Sequence, residues 1–382
     1  MSTGKRHVNR RELLHKGALG GLGLASLGPL SSLLDISHAL ASDAEGSGGG
    51  IGQLIAAAKK EGHLNTIAMR RDWADYGEIK DTFQARYHIA IREEAPFSSS
   101  AEQVQAIISL KGQRLAPDVV DPSPVFADKG KKEGLYAPYK VATWGTIPSN
   151  LKDPHGYWTG DYWGVQSFLS NNNVVREAPK DWDDLLSPRL RDMVGIEGDP
   201  RKAGDAFATV MAASLANGGS LDNIEPGINF FARLKKLGNW NPTPALPVMI
   251  AKGITPIAIK WDFLNLVARD VLKGNATVTV PKHGVYGGYY CQAISKYAPH
   301  PNAAKLWEEY LFSDAGQLMF LKGYAHPARY LDLAAKHKIP ASLTRRLPPA
   351  SAYKNVEFAT LEQVNAAEKV LQEQWGPKMG GS

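Results

Sequence analysis

A single cysteine, Cys291, stands in 382 residues. One thiol closes no internal disulfide, so the chain is not a small cystine-stapled scaffold, and paired-cysteine metal spacings are absent. Charge is also sparse, at 21% Asp, Glu, Lys and Arg, and the net excess of +6 is uneven. Lys5, Arg6, Arg10, Arg11 and Lys16 against Glu12 and Asp35 put half of that excess in residues 1–41. The rest is too nearly neutral to suggest a nucleic-acid surface. No long segment has the low hydrophobicity and high charge of disorder. With 382 residues at 43% hydrophobic, there is material for two packed domains, on a scale of roughly 100–200 residues each.

Catalytic signatures are missing as well. No Gly-x-Ser-x-Gly, His-Glu-x-x-His or Walker loop occurs. Ser149 and Lys152 have the spacing of penicillin-binding enzymes, but two fixed positions without a Lys-Thr-Gly companion read as a chance match. His155 and His326 are isolated and read as structural or surface histidines. Neither an enzyme nor a bound cofactor or metal is expected.

What is present begins with an address. Asn9-Arg10-Arg11-Glu12-Leu13-Leu14-His15-Lys16 precedes an uncharged run over 17–34 and then Ala39-Leu40-Ala41. This is the pattern of a twin-arginine export signal, residues 1–41, cleaved after Ala41. Five glycines and a proline make the run too weakly apolar for a membrane anchor. Glu45-Gly46-Ser47-Gly48-Gly49-Gly50-Ile51-Gly52 follows no strand, so it reads as a spacer rather than a dinucleotide loop. Spacer and first helix together occupy 42–62.

Beyond that, apolar residues at helical spacing separate short β-rich runs. The spacing predicts helix 53–61, strand 63–69, helix 76–87, strand 89–93, helix 101–111 and strand 118–121. A second block has strand 193–197, helices 206–216 and 228–237, and strand 255–259. Both read as α/β units, each a mainly parallel sheet flanked by helices. Two Gly- and Tyr-rich stretches, 157–164 and 285–290, flank the second block and read as a two-strand hinge. The expected division is 63–164 with 285–382 as one lobe and 165–284 as the other.

Loops that follow parallel strands share one edge, where ligands bind. That edge would gather Arg70, Arg71, Asp72, Trp73, Ser98, Ser99, Ser100, Asp121 and Ser123 on one side of a cleft. Asp199, Arg201, Lys260, Trp261 and Asp262 would face them, with Trp158, Tyr286 and Tyr289 from the hinge. Ser99 with Glu102 also forms a capping box, Asp262 can serve as a helix N-cap, and Trp261 as a core plug.

Further motifs carry a resemblance. They are Gly134-Leu135-Tyr136-Ala137-Pro138-Tyr139, Pro179-Lys180-Asp181-Trp182-Asp183-Asp184-Leu185-Leu186, Ala298-Pro299-His300-Pro301-Asn302-Ala303-Ala304-Lys305 and Leu311-Phe312-Ser313-Asp314-Ala315-Gly316-Gln317. As an ordered set they resemble the extracellular solute-binding proteins of ABC importers, in the type II periplasmic class, the branch related to ferric-ion and phosphonate binders. The resemblance implies two lobes joined by a hinge around a trapped small-molecule solute and delivery to a membrane permease; the export signal implies a periplasmic location, and a monomer is expected. In iron binders, the position of Trp261-Asp262 resembles that of a tandem tyrosine pair, which is missing here. The Lys260 ammonium would also oppose a hard trivalent cation. An anionic or zwitterionic solute such as an aminophosphonate is therefore expected ahead of iron. Arginines suit its acid group, and indoles beside carboxylates suit its amine.

Overall fold

The structure is a computed structural model and describes residues 49–380. The expected export signal and residues 42–48 of the spacer lie outside the described residues. The first helix, α1 (Gly49–Glu61), begins four residues earlier than expected, so Gly49, Gly50 and Gly52 belong to a helix rather than a linker.

The first half alternates as the periodicity predicts: β1 (His63–Ile67), α2 (Tyr76–Tyr87), β2 (Ala90–Glu94), α3 (Ser100–Ser109), β3 (Val119–Val120) and α4 (Pro124–Lys132). Strand β1 pairs in parallel with β2 and β3. After β4 (Tyr136–Ala137) comes β5 (Thr159–Asn171), then β6 (Val194–Ile196), α5 (Gly204–Ala216), α6 (Glu225–Leu237), α7 (Pro247–Ala251), β7 (Ile257–Trp261), α8 (Asp262–Val271) and β8 (Ala276–Thr279). Strands β6 and β7 are parallel. The chain returns through β9 (Tyr286–Ser295), α9 (Pro301–Leu311), α10 (Asp314–Lys322), β10 (His326–Pro327), α11 (Tyr330–Ala335), α12 (Ala341–Thr344), β11 (Glu357–Phe358) and α13 (Leu361–Met379).

The strand order β2-β1-β3-β9-β5-β7-β6 makes one mixed path. It is less parallel than expected, because β9 runs antiparallel to β3 and β5 antiparallel to β7. Both reversals have one cause: β5 and β9 are the two strands that cross between the halves. Strand β5 pairs with β9 up to Val165 and with β7 from Gln166 onward.

Helices cover the sheet on both sides and bury its aromatic residues. Tyr76, Phe83, Trp307 and Tyr310 cluster in the first half, and Phe168, Trp182, Phe230 and Phe231 in the second. Full burial of each such ring contributes roughly 1.5–3 kcal/mol. Helix α13 starts from a capping box at Thr360 and Gln363 and packs on both α4 and α6. Trp375 reaches Phe231 and Trp240 of the second half. Among the described residues, no helix is long and apolar enough to cross a membrane.

Candidate ligand-binding site

The loops that follow β1, β2, β3 and β6 meet at one edge, around a cavity of about 410 Å³. Arg70, Trp73, Ser98, Ser99, Ser100 and Asp121 line it from the first half. Glu197, Lys202, Gly204 and Asp205 line it from the second, and Tyr290 of β9 lines both this cavity and its smaller neighbour. Past Tyr290, a smaller chamber of about 70 Å³ lies between the starts of α4 and α5, strand β9 and helix α13. Ser123, Arg201, Trp261, Tyr286 and Tyr289 border that chamber.

Three helices begin at this edge. Ser99 caps α3 in the expected capping box, accepting from Glu102 N at 3.3 Å while Glu102 accepts from Ser99 N at 2.7 Å. Ser100 Oγ accepts from Ser123 N at 2.9 Å and ties two loops together. Helix α4 opens on Pro124, and Ser123 makes no side-chain cap bond. Helix α5 follows Ala203, which has no side chain capable of capping. The first amides of α4 and α5 therefore border the cavities without a side-chain acceptor, with the partial positive charge of a helix start.

Most of the expected cations are already neutralised. Arg70 grips Asp72 with two bonds of 2.9 and 2.7 Å and reaches Glu197 of the other half at 3.3 Å. Lys260 also pairs with Glu197, from below the cavity. Arg201 is held by Asp199 at 2.8 Å. Arg71 turns to the outer surface, where it bonds Asp81 and Glu93. Among the described residues, Lys202 is the cation at the cavity that forms no ion pair; its side chain is exposed.

The carboxylates behave differently. Asp121 is buried and its Oδ2 accepts from Tyr76 at 3.1 Å and Tyr162 at 3.3 Å. Asp205 accepts from Gln166 Nε2 at 2.8 Å and Trp261 N at 3.1 Å. Yet Asp121 Oδ1 and Asp205 Oδ2 are both buried and accept no bond from any described residue. Burial pushes each carboxyl up to about 7, for Asp205 with the charge of Glu197 as the next cause. Beside them stand Trp73 and Tyr290, their rings edge to face at 5.5 Å.

Several expected site residues lie elsewhere. Asp262 is fully buried at the hinge, accepting from Val165 N at 3.0 Å and Tyr353 Oη at 2.8 Å. It is the first residue of α8, and Trp261 occupies the N-cap position. Trp158 is buried in the core of the first half against Tyr289, because its position on the strand approach faces inward. Asp72 is half-exposed, and among the described residues the Asp199 carboxylate is taken up by Arg201. Lys152 donates to the carbonyls of Trp144 and Ile147, which leaves no serine–lysine pair. Glu197, Asp205 and Tyr290 line the cavity but stand outside the expected set, although Asp205 was visible among the polar residues after its strand. Glu197 passed for the last residue of a strand and Tyr290 for hinge packing; Asp205, on the loop with Asp199 and Arg201, looked no different from them.

A family model for bacterial extracellular solute-binding proteins matches residues 116–363. The chain belongs to that family. This solute-binding protein shares its fold with periplasmic binding proteins of known structure. One is AfuA of Actinobacillus pleuropneumoniae, solved with fructose-6-phosphate (17% identity over 84% of this chain and 98% of that one, TM-score 0.66). Another is a putative spermidine/putrescine transporter protein of Listeria monocytogenes (14% identity over 82% and 99%, TM-score 0.62). A third is FutA of Trichodesmium, solved with iron and citrate (16% identity over 84% and 100%, TM-score 0.52). No curated protein sequence matches significantly. At these identities the structural likeness establishes the α/β, two-lobed periplasmic-binding fold. Among the described residues, no group of three or more His, Cys, Asp or Glu side chains could hold a metal ion.

Proposed function

We propose that this protein traps a small solute bearing an ammonium group, a zwitterion such as an aminophosphonate, and delivers it to the permease of an ABC importer. One observation carries the reading: a buried carboxylate oxygen with no donor comes from each half, Asp121 Oδ1 and Asp205 Oδ2, at the same cavity. A solute N–H group that satisfies both is bound more strongly when the halves are together, and this difference drives closure. Trp73 and Tyr290 border the same cavity, where aromatic rings attract a cation. The uncapped starts of α4 and α5, with Ser100, Ser123 and Lys202, suit an acid group at the other end.

The halves in this reading are 63–164 with 285–382 and 165–284, consistent with the change of partner along β5 after Val165. The receptor works as a monomer and uses no covalent step. Residues 1–41 direct its export by the twin-arginine route.

The test is thermal unfolding of the ligand-stripped protein against aminophosphonates, amino acids, polyamines, phosphate esters and ferric citrate. A ligand at about 100 times its dissociation constant adds roughly 2.7 kcal/mol, which raises the midpoint by a few degrees. A shift with amine-bearing solutes is expected. Shifts confined to phosphate esters or ferric citrate would overturn the reading.

A further inference from the structure

Beneath Asp121 lies a second carboxyl, Asp161 of β5, fully buried and sealed from the cleft. Tyr76 Oη sits between them, 2.8 Å from Asp161 Oδ2 and 3.1 Å from Asp121 Oδ2, and accepts from Gln292 Nε2 at 2.7 Å. A parallel path runs from Trp73 Nε1 to Tyr162 Oη at 2.5 Å, and from Tyr162 to Asp121 Oδ2. Asp161 Oδ1 accepts from Tyr162 N at 2.9 Å.

No Arg, Lys or His among the described residues bonds to either carboxyl. The other titratable groups facing them are Cys291 and Tyr290 on β9 and Glu308 on α9. Two buried carboxylates without a counter-cation cannot both stay ionised. The single Tyr76 proton cannot serve both either, so one carboxyl supplies a proton of its own. Two proton arrangements satisfy the contacts, and they differ in which carboxyl keeps the charge. Burial raises both carboxyls, for Asp161 with the charge of Asp121 as the next cause, but Asp161 borders neither cavity of the cleft, where its charge could be solvated, whereas Asp121 borders the larger one. Asp121 is also the one with a free oxygen at the cavity.

We propose that Asp161 is a neutral acid that donates to Tyr76, so that Tyr76 and Tyr162 both donate to Asp121 and hold it as the single anion offered to a cationic group of the solute. The proposal rests on the reading of the cleft given above. Asp161 touches no solute and is a positioning residue. The hydroxyls of Tyr76 and Tyr162 then both point to Asp121 Oδ2, which leaves Oδ1 to the ligand, while Tyr162 N and Gln292 Nε2, at 2.9 and 3.3 Å, serve Asp161. Below about pH 7 Asp121 takes up a proton that the solute must displace, so affinity rises with pH through that region and then levels.

The probes are 2-aminoethylphosphonate and putrescine, with affinity measured by calorimetry from about pH 5 to 9. Asp161→Asn replaces an O–H donor with an N–H donor at the same place, so the affinity of whichever probe binds is expected to stay within about twofold. Asp161→Leu removes the donor and is expected to weaken binding roughly tenfold. If Asn weakens binding as much as Leu, Asp161 was the anion and the proposal fails. Infrared spectra of wild-type protein, with and without carbon-13 aspartate, need no variant to fold. At about pH 9 a protonated carboxyl band that moves with the label is expected from Asp161. Probe binding without that band overturns this proposal alone. The band without binding by either probe overturns the cleft reading and leaves Asp161 a neutral buried acid.

Discussion

Asp121 and Asp262 both follow apolar strands, yet one faces a cavity and the other clamps a hinge. The difference lies in their partners. Asp262 has each oxygen occupied, by Val165 N and Tyr353 Oη, while Asp121 keeps one oxygen free. Asp262→Ala should therefore act on stability. Each buried donor left without an acceptor costs about 1–3 kcal/mol, so the two together give a loss of roughly 2–6 kcal/mol in urea unfolding. Asp121→Asn should instead leave the unfolding midpoint nearly unchanged and abolish the probe-induced thermal shift. Both aspartates were legible as strand-end acids; their separate roles depend on Tyr353 and Tyr76, which lie 91 and 45 residues away in the chain.

Among the elements, β9 does most to shape the site. A Cβ on Gly288 would come within 2.3 Å of the Trp261 ring, so the indole can lie against the strand only because that position has no side chain. Gly288→Ala is expected to cost about 1–3 kcal/mol through overpacking, and a red shift of tryptophan emission would report the displaced indole. Helix α13 acts at longer range, since it packs on α4 of one half and α6 of the other. Trp375→Ala should cost roughly 3–5 kcal/mol, read from denaturant unfolding. The alternation of strands and helices was legible because its periods are local. The docking of α13 on both halves was not, because its partners are surfaces brought together only by folding.

At the scale of the whole molecule, polar bridges join the two halves: Arg70 with Glu197, Tyr353 with Asp262, and Arg346 with Asp270. Arg70→Ala removes the bridge across the cleft, and a larger radius of gyration in small-angle scattering of the ligand-free protein is the expected result. Stability should also depend on pH in an unusual direction. Asp75, Asp121 and Asp205 are raised to about 7 and Asp262 to about 6, each chiefly by burial. A raised carboxyl holds its proton more tightly in the folded state than in the unfolded one. Its contribution is full below the unfolded value and is lost as pH rises through the folded value. The thermal midpoint of ligand-free protein is therefore expected to fall between about pH 5 and pH 8. A rise over that range would show that these carboxyls are ionised at little cost in the fold. Opposite pulls, at lower pH, come from carboxylates held below their usual range against the penalty of burial, such as Glu93 bonded to Lys80 and Arg71.

The sequence by itself determined the class of the protein: local hydrophobic periods wrote the α/β units, and the ordered motifs carried the resemblance to solute-binding receptors. It also pointed to the loops after particular strands as a candidate site, since loops that follow parallel strands share one edge; the antiparallel course of β5 and β9 was not legible in those periods. Only the tertiary structure decided which charges in those loops are free. Arg70, Arg71, Arg201 and Lys260 look equally available in the sequence, and each turns out to be paired. Asp121 and Asp205, more than eighty residues apart, turn out to share one cavity. Pairing depends on distances of a few ångströms between segments remote in the chain, and a local pattern carries no information about those distances.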